Sequence, residues 1–264
     1  MKTLVVIPAR LASTRFPGKP LALLENKPIV QWVFEAASKA QLPHKVVIAT
    51  DHSSIRDAVA EFGGTALITE PDHPSGTDRC SEIARRLPQY EYIINVQGDE
   101  PFIQPEQIDQ LAELIRKGDY PIATLAVPFS QTEALFNAST VKVVATTDDR
   151  ALYFSRQPIP FFRDEPGEIW LSKHTYYRHI GMYAYRRSTL LELSRLSESG
   201  LEKAEKLEQL RWLEAGYSIA LGYTPSASIG IDTPEDLQKA HHWLKQSSPP
   251  EKPGQHQADD DRDD

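Results

Sequence analysis

"TLVVIPARLASTRFPGKP", residues 3–20, joins a short apolar run to an irregular basic loop. Residues 3–7 show no polar alternation, the pattern of a strand covered on both faces. Residues 8–20 hold Arg10, Arg15 and Lys19 and no acid, with Pro17, Gly18 and Pro20 bending the path. In open parallel sheets, ligands bind beyond the carboxyl ends of the strands, and this loop follows the first strand directly. Arg offers a planar fork and Lys a point charge to phosphate oxygens. Neither the G-x-x-x-x-G-K of a P-loop nor a G-x-G-x-x-G is present, so side chains and loop amides would hold the anion. A solvated basic loop is the alternative.

Outward from this stretch, residues 45–50, 65–69 and 92–96 repeat the apolar strand pattern. Helical periodicity fills the gaps at 28–40, 53–63 and 75–87, and a further helix is expected over 104–118. This βαβα rhythm predicts an α/β fold of Rossmann-like type, with a mostly parallel central sheet and helices on both faces. From about 121 the rhythm changes. Strands are expected within 122–127, 141–146, 151–156 and 178–186, with an aromatic loop over 157–175, and helices return at 202–216 and 233–245. The simplest division is one domain over 1–246, containing a smaller mixed β insertion at about 121–186, followed by a disordered acidic tail at 247–264.

Charge supports a local anion site over a broad nucleic-acid surface. The net charge is −8, and the Pro/Ser-rich segment 247–264 holds six acids against two bases, half of that total. The rest of the chain carries no extended basic face. No apolar run approaches the ~20 residues of a membrane span. Five apolar residues behind a lone Lys2 read as a strand, not a signal peptide. Cys80 is the only cysteine, which excludes an internal disulfide and fits a reducing cytoplasm.

Further strand ends carry chemistry-bearing residues. In "NVQGDEPFI" (95–103), Gly98 permits a sharp turn that leaves Asp99 at the sheet edge. In "IGIDTPEDL" (229–237), Asp232 follows Ile231 and precedes a helix with Pro234 in its first turn. One or two carboxylates beside phosphates suit Mg²⁺; a turn or capping acid is the alternative for each. Ser75, Gly76 and Thr77 open a helix and could cradle a base or phosphate, or act as a plain N-cap. Arg156 and His179 each place a cation among aromatics, where an anionic substrate group is a natural partner; a core histidine is the alternative for His179. Residues 205–211 read as an amphipathic helix.

In order along the chain, "IPARLASTRFPGKPL", "ATDH", "SGTDR", "NVQGDEP", "ATLAVP", "VKVV", "ALYFSR", "RHIGMYAYR", "LEQLR" and "GIDTPEDL" resemble the 3-deoxy-manno-octulosonate (Kdo) cytidylyltransferase family over about residues 2 to 245. The resemblance implies a nucleotidyltransferase fold, a cytoplasmic homodimer, Mg²⁺ dependence, and transfer of CMP from CTP to Kdo, for incorporation into bacterial lipopolysaccharide. It implies that Arg10, Arg15 and Lys19 bind the phosphates, with Ser75, Gly76, Thr77 and Gln97 around the nucleotide. Asp99 and Asp232 would hold the metal. Arg10, Lys19, Asp99 and Asp232 would carry catalysis, and Arg156, His179, Tyr183, Glu208 and Gln209 would face the sugar acid. No nucleic acid or membrane is implied. The rival readings are a nucleotidyltransferase for another sugar and a non-catalytic nucleotide-binding protein.

Overall fold

The computed structural model describes residues 1–12, 15–226 and 230–247. The opening stretch folds as read. Strand β1 (Thr3–Ala9) sends Val5 and Ile7 to one face of the sheet and Leu4 and Val6 to the other, all with no exposed surface. A hairpin of β2 (Leu23–Leu24) and β3 (Lys27–Pro28) follows, then α1 (Ile29–Ser38), β4 (Lys45–Thr50), α2 (Ser53–Glu61), β5 (Ala66–Ile68), α3 (Gly76–Arg86), β6 (Tyr92–Asn95) and α4 (Pro105–Lys117). The second half comprises β7 (Ile122–Pro128), α5 (Thr132–Phe136), β8 (Lys142–Ala145), β9 (Ala151–Ser155), α6 (Trp170–Lys173), β10 (Tyr177–Arg186), α7 (Arg187–Leu193), α8 (Gly200–Glu205), α9 (Gln209–Glu214), β11 (Ile219–Tyr223) and α10 (Pro234–Ser247).

The main sheet runs β11-β7-β10-β6-β1-β4-β5, with β8 and β9 extending from β10. β1, β4, β5 and β6 pair in parallel, as do β7 and β11. β10 lies antiparallel between β6 and β7. Of the stretch 121–186, β7 and β10 are therefore sheet members and β8 and β9 form an arm. Side chains of α1, α2 and α4 cover one face, and those of α3, α7 and α9 the other. Each fully buried Leu or Ile contributes about 1.5–3 kcal/mol by leaving water. Cys80 lies within the second face, and burial pushes its thiol pKa up.

Two expectations change. The helix expected over 202–216 is broken: Lys206 takes a left-handed conformation (φ +53°), separating α8 from α9. The break lets Leu207, Leu210 and Trp212 bury together while Arg211 turns back onto Glu202 at 2.6 and 2.7 Å. The expected loop at 157–175 contains α6, whose Trp170 stacks with Tyr176 at 5.9 Å. β11, α5 and α7 had no counterpart in the sequence reading. The segment read as a disordered tail lies, apart from Ser247, outside the described residues.

Candidate active site

The basic loop leaves β1 and doubles back. Gly18, in the left-handed region at φ +73°, donates its N–H to the Leu11 carbonyl at 3.1 Å, and Lys19, which follows it, reaches Asp99 and Asp232. Beside β1, the end of β6 delivers Gln97, Gly98 and Asp99. A Cβ on Gly98 would stand 2.6 Å from the Pro8 carbonyl oxygen. Glycine is thus required by close approach of two strand ends; its φ is not left-handed, so the sharp turn expected there is not the reason.

Asp99 and Asp232 come from distant parts of the chain and meet at one point. The Ile231 N–H donates to the Asp99 carbonyl at 2.8 Å, tying the approach to α10 onto the end of β6. Asp236, one turn into α10, accepts from the Asp232 and Thr233 N–H groups at 3.3 and 3.1 Å. Lys19 Nζ donates to Asp99 Oδ2 at 2.5 Å and to Asp232 Oδ1 at 3.2 Å, and Arg15 Nη2 reaches the same Asp232 oxygen at 3.2 Å. Among the described residues no group of three or more His, Cys, Asp or Glu side chains forms a metal nest. Two partly exposed carboxylates converging on a cation's position are nevertheless a fitting donor set for a hard divalent ion, which takes its remaining ligands from water and phosphate.

These residues line a cleft of about 260 Å³ that also includes Arg10, Ser75, Gly76, Gln97, His73 and Arg79. Ser75 caps α3, its Oγ accepting from the Asp78 N–H at 3.1 Å. Thr77 is not among the lining residues of the cleft; it follows Gly76, is 4% exposed, and donates to Glu208 Oε2 at 2.6 Å. Arg79 and Asp51 were not singled out in the sequence. Buried Arg79 meets Asp51 at 3.5 Å, and Asp51 accepts from the Leu11 N–H at 3.2 Å, so the pair anchors the start of the basic loop. The strand-end rule that picks Asp99 would have picked Asp51, which follows β4.

The second group of expected residues surrounds β10. A bulge between Ile180 and Tyr183 breaks the register with β7, and the Gly181 carbonyl there accepts from Gln97 Nε2 at 3.3 Å. This joins the two groups. Tyr183 is buried against Trp212 and His179, and its hydroxyl has no hydrogen-bond partner among the described residues. Burial raises the pKa of Glu208, opposed by its bonds from Thr77 and Ser75. Gln209 is 5% exposed at the start of α9. Arg156 donates through Nε to the Glu205 carbonyl at 2.7 Å and through Nη1 to the Ala138 carbonyl at 3.1 Å.

His179 is not the cation expected. Burial, with Arg178 nearby, holds its pKa down at about 3. The Thr124 hydroxyl donates to the Met182 carbonyl at 2.8 Å, so at 3.0 Å it accepts from His179 Nε2. That leaves Nδ1 as an acceptor on a neutral ring.

The cytidylyltransferase family profile matches residues 4–219. A 3-deoxy-manno-octulosonate cytidylyltransferase from Parabacteroides distasonis is 48% identical over 249 residues, covering 92% of this chain and 98% of that protein. One from Cytophaga hutchinsonii is 49% identical over 239 residues, covering 90% and 95% respectively. A solved structure of CMP:2-keto-3-deoxy-manno-octonic acid synthetase complexed with CTP superposes with a TM-score of 0.87 at 41% identity, covering 94% of this chain and all of that one. The 4-diphosphocytidyl-2C-methyl-D-erythritol synthase of Anaerococcus prevotii, 14% identical with a TM-score of 0.60, shares the fold. By the extent and identity of these matches, the chain belongs to the 3-deoxy-manno-octulosonate cytidylyltransferase family.

Proposed function

We propose that this enzyme activates Kdo by transferring CMP from CTP, releasing diphosphate and supplying CMP-Kdo for bacterial lipopolysaccharide. The observation that carries this reading is the cleft where Arg10, Arg15 and Lys19 surround two convergent carboxylates, in a chain nearly half identical to proteins of that name. Transfer of this kind relies on positioning and charge stabilisation. The anomeric hydroxyl of the sugar forms a bond to the α-phosphorus. The bond from that phosphorus to the bridging oxygen breaks, diphosphate leaves with the electron pair, and the hydroxyl's proton passes to the departing diphosphate or to solvent.

Arg15 and Lys19 are assigned to the β- and γ-phosphates and Arg10 to the α-phosphate. Lys19 and Arg15, which pair with Asp99 and Asp232, stand close enough to both acids to serve phosphate oxygens held between them. The two acids would hold Mg²⁺, which when bound neutralises phosphate charge and lowers the pKa of a hydroxyl it touches. Ser75, Gly76, Thr77 and Gln97 are assigned to the nucleotide's surroundings. Arg156 would fork onto the sugar carboxylate, with His179, Tyr183, Glu208 and Gln209 completing that site.

A homodimer and a cytoplasmic location belong to the same proposal, as does an insertion at 121–186 serving the sugar and the dimer. Exposed Leu152 and Phe161 on and beyond the β8–β9 arm support self-association. The single buried thiol, and described helices none of which is long and apolar enough to cross a membrane, are compatible with that location. The test is diphosphate release with CTP against ATP, GTP and UTP, and with Kdo against sialic acid, for the wild type and Asp232→Asn. Turnover should require CTP and Kdo, and the variant should lose at least ~10²-fold in kcat. Equal turnover with sialic acid would replace the substrate assignment, and a fully active Asp232→Asn would remove the metal site.

A further inference from the structure

Lys142, on β8, is fully buried yet has no part in the chemistry above. Among the described residues no carboxylate bonds to it. Its ammonium donates instead to three main-chain carbonyls, those of Asn137 at 2.7 Å, Thr140 at 2.8 Å and Arg156 at 2.7 Å. Three donors meet three acceptors, so the charge is fully solvated by backbone. Burying an ammonium is costly, and a neutral side chain could fill the same space; Lys142 already pairs with Ser155 in the β8–β9 ladder, and its ammonium extends that link past the ladder's end, gathering the 137–140 turn onto the Arg156 carbonyl.

What it ties is the base of Arg156. The Arg156 carbonyl is held by Lys142, and its N–H donates to Glu205 Oε2 at 2.9 Å. Its guanidinium spans the same two sides, touching the Ala138 carbonyl on one and the Glu205 and Lys206 carbonyls on the other. The first side is the 137–140 loop that Lys142 gathers. The second is the α8–α9 corner, which leads directly into Glu208 and Gln209. Arg156 thus leaves the end of β9 in a direction set by both segments.

We propose that Lys142 is a positioning residue for the sugar-acid site, acting through the carbonyls of Asn137, Thr140 and Arg156 to aim the Arg156 guanidinium. The proposal rests on the assignment of Arg156 to the Kdo carboxylate. Small misplacements of a positioning group cost large factors in rate. Loss of the clamp should therefore degrade use of Kdo and spare CTP.

The experiment is steady-state kinetics in each substrate for the wild type, Lys142→Met, Arg156→Ala and the double variant. Lys142→Met should raise the KM for Kdo about tenfold, with the KM for CTP within about twofold. The double variant should be no worse than Arg156→Ala, because a residue acting only through Arg156 has nothing left to act on. Multiplying effects, or equal damage to both substrates, would overturn the proposal. An impaired Arg156→Ala beside an unimpaired Lys142→Met would overturn the role of Lys142 alone. A normal Arg156→Ala would remove the underlying assignment, and this proposal with it.

A second reading needs no Lys142 variant and decides the matter if Lys142→Met fails to fold. Burial first, then the neighbouring Arg156, lowers the Lys142 pKa to about 8, against an opposing pull from Glu205; Arg178 is its register partner on β10. Raising the pH through that value removes the charge and one donor. The wild-type KM for Kdo should climb across it while the KM for CTP does not, and Arg156→Ala should lack the climb. A flat KM for Kdo would overturn the proposal.

Discussion

His179 is 9% exposed, bonded to Thr124 through Nε2, and held near pKa 3 by burial. In the unfolded chain the same imidazole takes up a proton near its ordinary value of 6.5. Between those limits the unfolded state binds more protons, so acid favours it. The contribution is complete above about pH 6.5 and drains as the pH falls towards 3, with a slope approaching about 1.4 kcal/mol per pH unit. Denaturant unfolding from pH 7 to pH 4.5, within that window, should show a shallower loss of stability for His179→Gln than for the wild type. Identical slopes would mean that the ring already carries a proton when folded. Residue identity was legible here and charge state was not. "RHIGMYAY" places His179 among aromatics, but its protonation depends on Thr124 on β7 and on the edge of Phe154 at 4.9 Å. Both contacts depend on strand order. Asp99, Arg15 and Lys19 were legible because following a strand is a property of local sequence; Asp232 was picked by the same rule, but no strand precedes it, since β11 ends at Tyr223 and residues 230–233 are irregular. The bonds among the four join residues 80 or more than two hundred positions apart, which local sequence does not show.

Among the elements, β1 and β6 approach so closely at their ends that only hydrogen fits at Gly98. Gly98→Ala would press a Cβ against the Pro8 carbonyl, a backbone atom that cannot rotate away. Separating the strand ends is the only relief, and overpacking of this kind costs about 1–3 kcal/mol. The strain would fall on the turn that presents Asp99. We expect a fall in both melting temperature and kcat; calorimetric melting with normal stability would show that the strands part freely. Central strands β1, β4 and β6 were plain in the sequence because burial on both faces leaves an unbroken apolar run. β11, at the sheet edge, was missed because "SIALGY" is short and carries Gly222. The continuous helix read over 202–216 failed for a different reason. Its periodicity was sound on each side of Lys206, and only the tertiary pull of Leu207 and Trp212 shows that the phase resets.

At the scale of the whole molecule, α10 closes the fold onto its beginning. Leu24, Ile29, Ile231 and Ala240 form a small core of their own, with Trp32 and Phe102 packed on it. Phe102 touches Trp32 at 6.4 Å between ring centroids and Trp243 at 4.6 Å. Phe102 lies three residues after Asp99, and Trp243 lies on α10, which begins two residues after Asp232, so one aromatic seat sets the distance between the two acids. Trp243→Ala should remove about 1–2 kcal/mol, since the ring is 43% exposed. That corresponds to a fall of about 2–8 °C in melting temperature for a chain of this size. Turnover should fall further than stability accounts for, measured well below the transition; a variant with lowered melting temperature and full kcat would detach the seat from the chemistry. The α/β class was readable from rhythm alone. The docking of α10 was not, because a half-exposed amphipathic helix carries no mark of where it lands.

The hydrogen bond from Ile231 to Asp99 joins a late segment to an early strand, and that order has a consequence during synthesis. A nascent chain that has extruded the first half of the sheet already owns the basic loop and Asp99, but not Asp232. On the proposed assignment of these residues, such an intermediate would hold the phosphate-binding cations and only one of the two metal-binding acids. Truncation before residue 231 would leave a related molecule, with every strand of the sheet present and one of its two acids missing.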